Sequence, residues 1–224
     1  MREKEREEEE EKKEENEPRP YSFYQQKLVS RQLHYYISGP LEEPAHYTEM
    51  VHQIRCATAN DIVHIHLNTP GGYISTGVQI ISAMRSSQGH IVTHLEGEAC
   101  SLGALLFLTA DEMVVYDDSI LMFHNYSGGL VGKGHELTAS VDASNRWYSK
   151  LITTICVPFL TEEELEKIFA GADFWMLSDE VERRLKRMAK KTTGDPTVTK
   201  SKKKKVGRNT KKKAKKVTKK KAKA

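Results

Sequence analysis

The chain is 224 residues long, 38% hydrophobic, and carries 35 Lys and Arg against 31 Asp and Glu, a net charge of +4 that leaves room for one sizeable core. The charge is spread unevenly: residues 1–17 hold ten Glu against five Lys or Arg, residues 190–224 hold seventeen Lys or Arg against one Asp, and the stretch between is net −7. No apolar run approaches 18 residues and none follows the first Met, so neither a membrane span nor a secretory signal is expected.

Residues 1–20 are a low-complexity Glu-rich stretch closed by two prolines, expected as an acidic disordered extension. A folded domain is expected over 21–190, followed by a lysine-rich disordered tail over 191–224, entered through the helix-breaking Thr192–Pro196 segment. Within the domain, Ile62-Val-His-Ile-His-Leu67 alternates and predicts a strand ending at Asn68-Thr-Pro-Gly-Gly72. Residues 73–87 then predict a helix with Ile74, Val78, Ile81 and Met84 on one side. A short strand is predicted over 91–96, and a buried helix over the apolar run from Leu102 to Ala110. Met113–Tyr116 and Ile120–Phe123 predict two more buried strands, residues 134–155 a long helix, and Thr161-Glu-Glu-Glu a helix start with a capping box. This alternation predicts an α/β domain with a mainly parallel sheet.

The chemistry concentrates in Gly97-Glu-Ala-Cys-Ser-Leu-Gly-Ala104. Ser101 is a polar nucleophile among residues small enough to admit a substrate backbone, at a strand-to-helix junction where backbone N–H groups are free. Gly71-Gly72 lies at the preceding junction of the same kind, and His124 follows the strand 120–123. A nucleophile, a base and an oxyanion donor at consecutive strand ends are the parts that acyl transfer requires. Other readings stand beside this one. A serine before an apolar helix is commonly only its N-cap, and a Gly-Gly after a strand only a turn. Cys100 is a rival nucleophile one residue away. His64 and His66 share one strand face, but two ligands without an acid partner make a weak metal site and read as half-buried sheet residues. The cysteines Cys56, Cys100 and Cys156 form no CxxC pair and no disulfide framework, which suits a reducing, cytoplasmic setting.

Four segments in order, Thr69-Pro-Gly-Gly72, Gly97–Ala104, Leu121-Met-Phe-His-Asn125 and Asp173-Phe-Trp-Met-Leu-Ser-Asp-Glu180, resemble the motifs of the ClpP family, the serine peptidase subunits of Clp-type compartmental proteases. The resemblance covers residues 24–181. It implies a ClpP/crotonase-like spiral of ββα units with a mainly parallel sheet. It also implies Ser101 as nucleophile, His124 as general base, Asp173 as the orienting acid, and the N–H groups of Gly72 and Leu102 as the oxyanion hole. Asp117, Asp118, Asp142 and Asp179 are other acids that match the motif less well. No metal or small cofactor is implied. The partners implied are further copies of the chain in a ring, a polypeptide substrate and an AAA+ unfoldase.

The chain departs from the family at both ends. After Glu180 a basic helix-like run, Val181–Met188, replaces the usual closing strand, and Glu-rich sequence occupies the place of the short apolar N-terminal segment. A specialised processing protease without an ATPase, such as one that trims viral head proteins, is therefore an alternative. Crotonase-type acyl-CoA chemistry shares the architecture but needs no Ser–His–Asp set. A silent ring or scaffold subunit, working through its basic tail, is the non-enzymatic alternative. That tail has no aromatic interleaving and suits nonspecific contact with nucleic acid or acidic protein.

Overall fold

A computed structural model describes Tyr24 and residues 28–194, with side chains as far as residue 189. The expected acidic extension and most of the lysine-rich tail lie outside the described residues. Strand β1 (Gln32–Ser38) leads through a 3₁₀ turn (Pro44–Tyr47) into α1 (Thr48–Cys56), then β2 (Ile62–Thr69) and α2 (Ile74–Ser86). The long strand β3 (His90–Cys100) is followed at once by α3 (Leu102–Phe107). The short strands β4 (Glu112–Val115) and β5 (Ile120–Phe123) come next, then α4 (Gly134–Cys156), α5 (Glu162–Phe169), β6 (Phe174–Leu177) and α6 (Ser178–Gly194).

Among the described residues six strands form one sheet in the order β1-β2-β3-β5-β6, with β4 also on β3. Every pairing is parallel except β5 with β6. β3 changes partner along its length: Val92–Leu95 pairs with β4 and Glu98–Cys100 with β5. The fold is thus α/β with a mostly parallel sheet, and successive β-α units turn around the long β3. The strand expected over 91–96 runs on to Cys100 because β5 takes over its hydrogen bonding. The helix expected to Ala110 stops at Phe107, where Thr93 Oγ1 donates to the Phe107 carbonyl at 2.9 Å and satisfies one of the helix's last acceptors.

Period-2 alternation divides the sheet's two faces. Val63, Ile65 and Leu67 of β2 are fully buried, with Ile91 and Leu95 of β3 beside them in the core. Burial of each such side chain stabilises by about 1.5–3 kcal/mol. The opposite face of the same strands carries His34, Tyr36, His64, His66, His94 and Glu96. There, burial first and neighbouring imidazoles second hold His64 and His94 below the usual histidine range.

The capping box expected at Thr161 is present: Glu164 N donates to Thr161 Oγ1 at 3.2 Å, and Thr161 N donates to Glu164 Oε2 at 2.9 Å. The run after Glu180 is helical, as expected from the absence of a closing strand, and its Arg184 is bound to Glu164 of α5 at 2.7 Å.

Candidate active site

Ser101 stands between β3 and α3 with φ +55° and ψ −118°, a conformation costly for a residue with a Cβ. Its hydroxyl caps nothing, so the N-cap reading does not account for it. The backbone is pinned instead: Ser101 N donates to Met122 O of β5 at 2.9 Å. Ser101 is therefore aimed by a rigid strand pair through a strained turn, and its side chain has no structural partner.

The turn at the end of β2 lies directly against it. Gly71 has φ +93°, and a Cβ there would meet Cys100 O at 2.7 Å, Ser101 Cβ at 2.8 Å and Leu102 N at 3.2 Å. Only glycine allows this approach. Gly71 N donates to Thr69 Oγ1 at 3.1 Å, and Gly71 O accepts from Leu41 N at 2.7 Å, which fixes the turn. Leu41 O then accepts from Tyr73 N at 2.9 Å. The N–H groups of Gly72 and Leu102 take no part in these bonds: Gly72 is exposed, and Leu102 opens α3, where a first-turn N–H has no intrahelical acceptor.

His124 and Asp173 meet through the sheet register. Parallel pairing of Cys100 with Met122 brings the ends of β3 and β5 level, so Ser101 and His124 leave the sheet at one edge. Antiparallel pairing sets Phe123 opposite Phe174, and the same register one residue on sets His124 opposite Asp173. The His124 main chain is held from α4, where Tyr148, 2% exposed, donates its hydroxyl to His124 O at 2.8 Å. Ser101 and His124 are half-buried and Asp173 is exposed. Among the described residues no hydrogen bond joins the side chains of Ser101, His124 and Asp173. The sequence reading thus gathers at one sheet edge, without a closed hydrogen-bond relay. Gly71 and Tyr148 were not singled out by sequence for their roles here; the glycine pair signalled the first, and nothing local signals the second.

Cys100, the rival nucleophile, is 2% exposed, and burial, with Glu98 adding to it, pushes its thiol up to about 11. It is a core side chain, protonated at neutral pH. Beside His124 a cavity of about 680 Å³ is lined by Ile74, Tyr126, Leu130, Leu137 and Val141, between α2, α4 and the loop after β5. Its walls are part apolar and part polar, with Asn125, Ser144 and Asn145 also in the lining.

The family model described as Clp protease matches residues 15–184. Among curated proteins, the "ATP-dependent Clp protease proteolytic subunit 2" of Chlamydia trachomatis is 29% identical over 125 residues, covering 53% of this chain and 59% of that protein. The subunit of the same name from Chlamydia muridarum matches equally. The "ATP-dependent Clp protease proteolytic subunit" of Streptococcus gordonii is 23% identical over 169 residues, covering 72% of this chain and 85% of that protein. The chain thus aligns to 59% of the length of the chlamydial relatives and to most of the streptococcal one. With a family match spanning the strands, the strained serine turn and the His124 and Asp173 positions alike, this chain belongs to the Clp protease family.

Proposed function

We propose that this chain is a serine endopeptidase that cleaves peptide bonds through an acyl-enzyme, with Ser101 as nucleophile, His124 as general base and Asp173 as orienting acid. The observation that carries the reading is the strained, uncapped Ser101 held against the Gly71-Gly72 turn at the edge where His124 and Asp173 come into register. In the first step His124 accepts the Ser101 hydroxyl proton as Oγ attacks the scissile carbonyl carbon. The carbonyl oxygen becomes an oxyanion and accepts hydrogen bonds from Gly72 N–H and Leu102 N–H, each worth about 10²–10³ in rate. Collapse breaks the C–N bond, and the amine leaves with the proton His124 took. Water, deprotonated by the same imidazole, then hydrolyses the ester. Asp173 holds the imidazole tautomer and stabilises its cation. The three groups are drawn together on substrate binding, as apo active sites commonly tighten.

The polypeptide is delivered inside a ring of identical subunits, in a reducing, cytoplasmic compartment, and an AAA+ unfoldase is the partner that would feed a closed ring. The free cysteines among the described residues support the compartment reading. The acidic and basic ends support the alternative of a specialised processing protease, which needs no such ATPase.

The test is fluorophosphonate labelling of the purified chain, mapped by mass spectrometry. Labelling of Ser101 that disappears in Ser101→Ala and His124→Ala is the expected result. A folded protein with no label on Ser101 would overturn the catalytic reading in favour of a silent ring or scaffold subunit. Light scattering on the same sample reads the assembly, with a multiple of the 25.5 kDa chain mass expected.

A further inference from the structure

The ladder between β5 and β6 ends at Phe123, opposite Phe174, and residues 124–126 lie outside any strand. Side chains hold them in place instead. From α4, Tyr148 donates its hydroxyl to His124 O at 2.8 Å. Two residues beyond His124, Tyr126 donates its own hydroxyl to Asn145 Oδ1 of the same helix at 2.7 Å. The two tyrosine rings meet edge to face with centroids 5.4 Å apart, so both bonds and the ring contact form one clasp. Asn145 and Tyr148 stand three residues apart, as neighbours on one face of α4. Asn125, between the clasped residues, turns toward α5. Its Nδ2 donates to Phe169 O at 3.3 Å, and its Oδ1 accepts from Tyr126 N at 2.9 Å. The segment that carries His124 is thus fixed on two flanks, to α4 and to the end of the helix that precedes Asp173.

Tyr148 is 2% exposed and belongs to the core with Ile152 and Ile155. A core position asks only for apolar volume, and a buried hydroxyl costs stability unless it is bonded. Packing alone therefore accounts for the ring but does not select the carbonyl that the hydroxyl meets. That carbonyl belongs to the residue assigned as base, at the point where the ladder stops holding it. Burial, with Cys156 adding to it, raises the Tyr148 phenol above the usual tyrosine range, so it stays a donor. The His124 main chain decides where its imidazole projects, and a misplacement of about 1 Å can cost about 10²-fold in rate.

We infer that Tyr148 is a positioning residue for the general base: its hydroxyl, with the Tyr126–Asn145 bond beside it, seats the His124 main chain on α4 and so sets the reach of the imidazole toward Ser101. Tyr148 touches neither substrate nor the reacting atoms and acts through His124 alone. The inference rests on the peptidase reading for the role of His124, whereas the clasp is independent of it.

The experiment measures the fluorophosphonate labelling rate at Ser101 and the unfolding midpoint for the full-length wild type, Tyr148→Phe and Ile152→Val. Tyr148→Phe keeps the ring and removes only the hydroxyl. Ile152→Val trims a fully buried side chain one turn further along α4 and controls for loosened packing. Labelling should be about 10–100-fold slower in Tyr148→Phe and within about two-fold of wild type in Ile152→Val. A second readout does not depend on catalysis. In protein with isotope-labelled histidine, the His124 ring resonance, identified by its loss in His124→Ala, should shift in Tyr148→Phe and stay in place in Ile152→Val. Should Tyr148→Phe fail to fold, Tyr126→Phe opens only the outer bond of the clasp and decides by the same two readouts. An unchanged rate in the folded variant, equal slowing in Ile152→Val, or an unmoved His124 resonance would each overturn the inference. Wild-type Ser101 that takes no label would overturn the peptidase reading instead, and the His124 resonance would then decide whether Tyr148 positions that ring.

Discussion

At the scale of single residues, the backbone around Ser101 constrains the site more tightly than the side chains do. Gly71 has positive φ and leaves no room for a Cβ between Cys100 O and Ser101 Cβ. Gly71→Ala should destabilise by about 1–3 kcal/mol through backbone strain. It should also lower the fluorophosphonate labelling rate at Ser101 by more than that stability change explains, because the clash displaces the nucleophile itself. Paired measurements of unfolding midpoint and labelling rate separate the two effects, and unchanged labelling would refute this placement of the turn. The cysteines give a second prediction. Cys100, with its thiol pushed up to about 11, should resist iodoacetamide at pH 7.5, whereas exposed Cys56 should react, as peptide mass mapping would register. If Asp173 orients His124 as proposed, Asp173→Asn should reduce peptide turnover on the order of 10⁴-fold with the fold unchanged. Turnover within a few-fold of wild type would remove Asp173 from the mechanism and return attention to the other acids.

At the scale of elements, Arg184 of α6 ties that helix to α5, donating to Glu164 through Nη1 at 2.9 Å and Nη2 at 2.7 Å. The same guanidinium reaches Glu180 and the Phe159 carbonyl. Its hydrogen bonds hold the Glu164 carboxyl down to about 2. A carboxylate depressed in the fold contributes stability that is fully present above its unfolded pKa of about 4.3 and is lost as pH falls through about 2. Acid unfolding followed by circular dichroism should therefore steepen across that window, and Glu164→Gln should flatten it. Arg184→Ala should cost about 1–3 kcal/mol, since it removes the charged partner of a half-buried carboxylate that keeps only its capping-box bond from Thr161 N. The elements themselves were unequally legible. β2 was plain because Val63, Ile65 and Leu67 alternate with His64 and His66, and α5 was plain because Thr161 and Glu164 form a local capping box. β1 carries the same alternation in Leu33, Tyr35 and Ile37, but with polar sequence on either side. β6 is four residues long and reads as a strand only when β5 is beside it. The site was legible in the order of its motifs. The register that sets His124 opposite Asp173 depends on strands about 50 residues apart in sequence, and the histidine cluster of the outer sheet face on strands about 30 apart, which no local pattern records.

At the scale of the whole molecule, charge is separated along the chain. Residues 195–224 hold fifteen Lys or Arg and one Asp, so their removal takes the net charge from +4 to −10. What remains, including the peptidase region, is a polyanion at neutral pH and should be repelled by another. The tail, rich in lysine and without aromatic side chains, has the composition that binds phosphate backbones by counterion release without reading bases. Full-length chain should therefore bind duplex DNA of any sequence, with an affinity that falls by about 10³–10⁵ between 50 and 200 mM salt if six to ten phosphates are engaged. A chain ending at Gly194 should show no binding at either salt concentration, yet label at Ser101 at the full-length rate, because it keeps every described strand and helix around the sheet edge. Fluorescence anisotropy with two unrelated duplexes measures the first property and the fluorophosphonate assay the second. Binding that persists after truncation would locate the anion surface on the folded region, against its net charge. Labelling that collapses would mean that the basic segment acts on the active site of its own or a neighbouring subunit, and the acidic residues 1–17 would be the first surface to test as its counterpart.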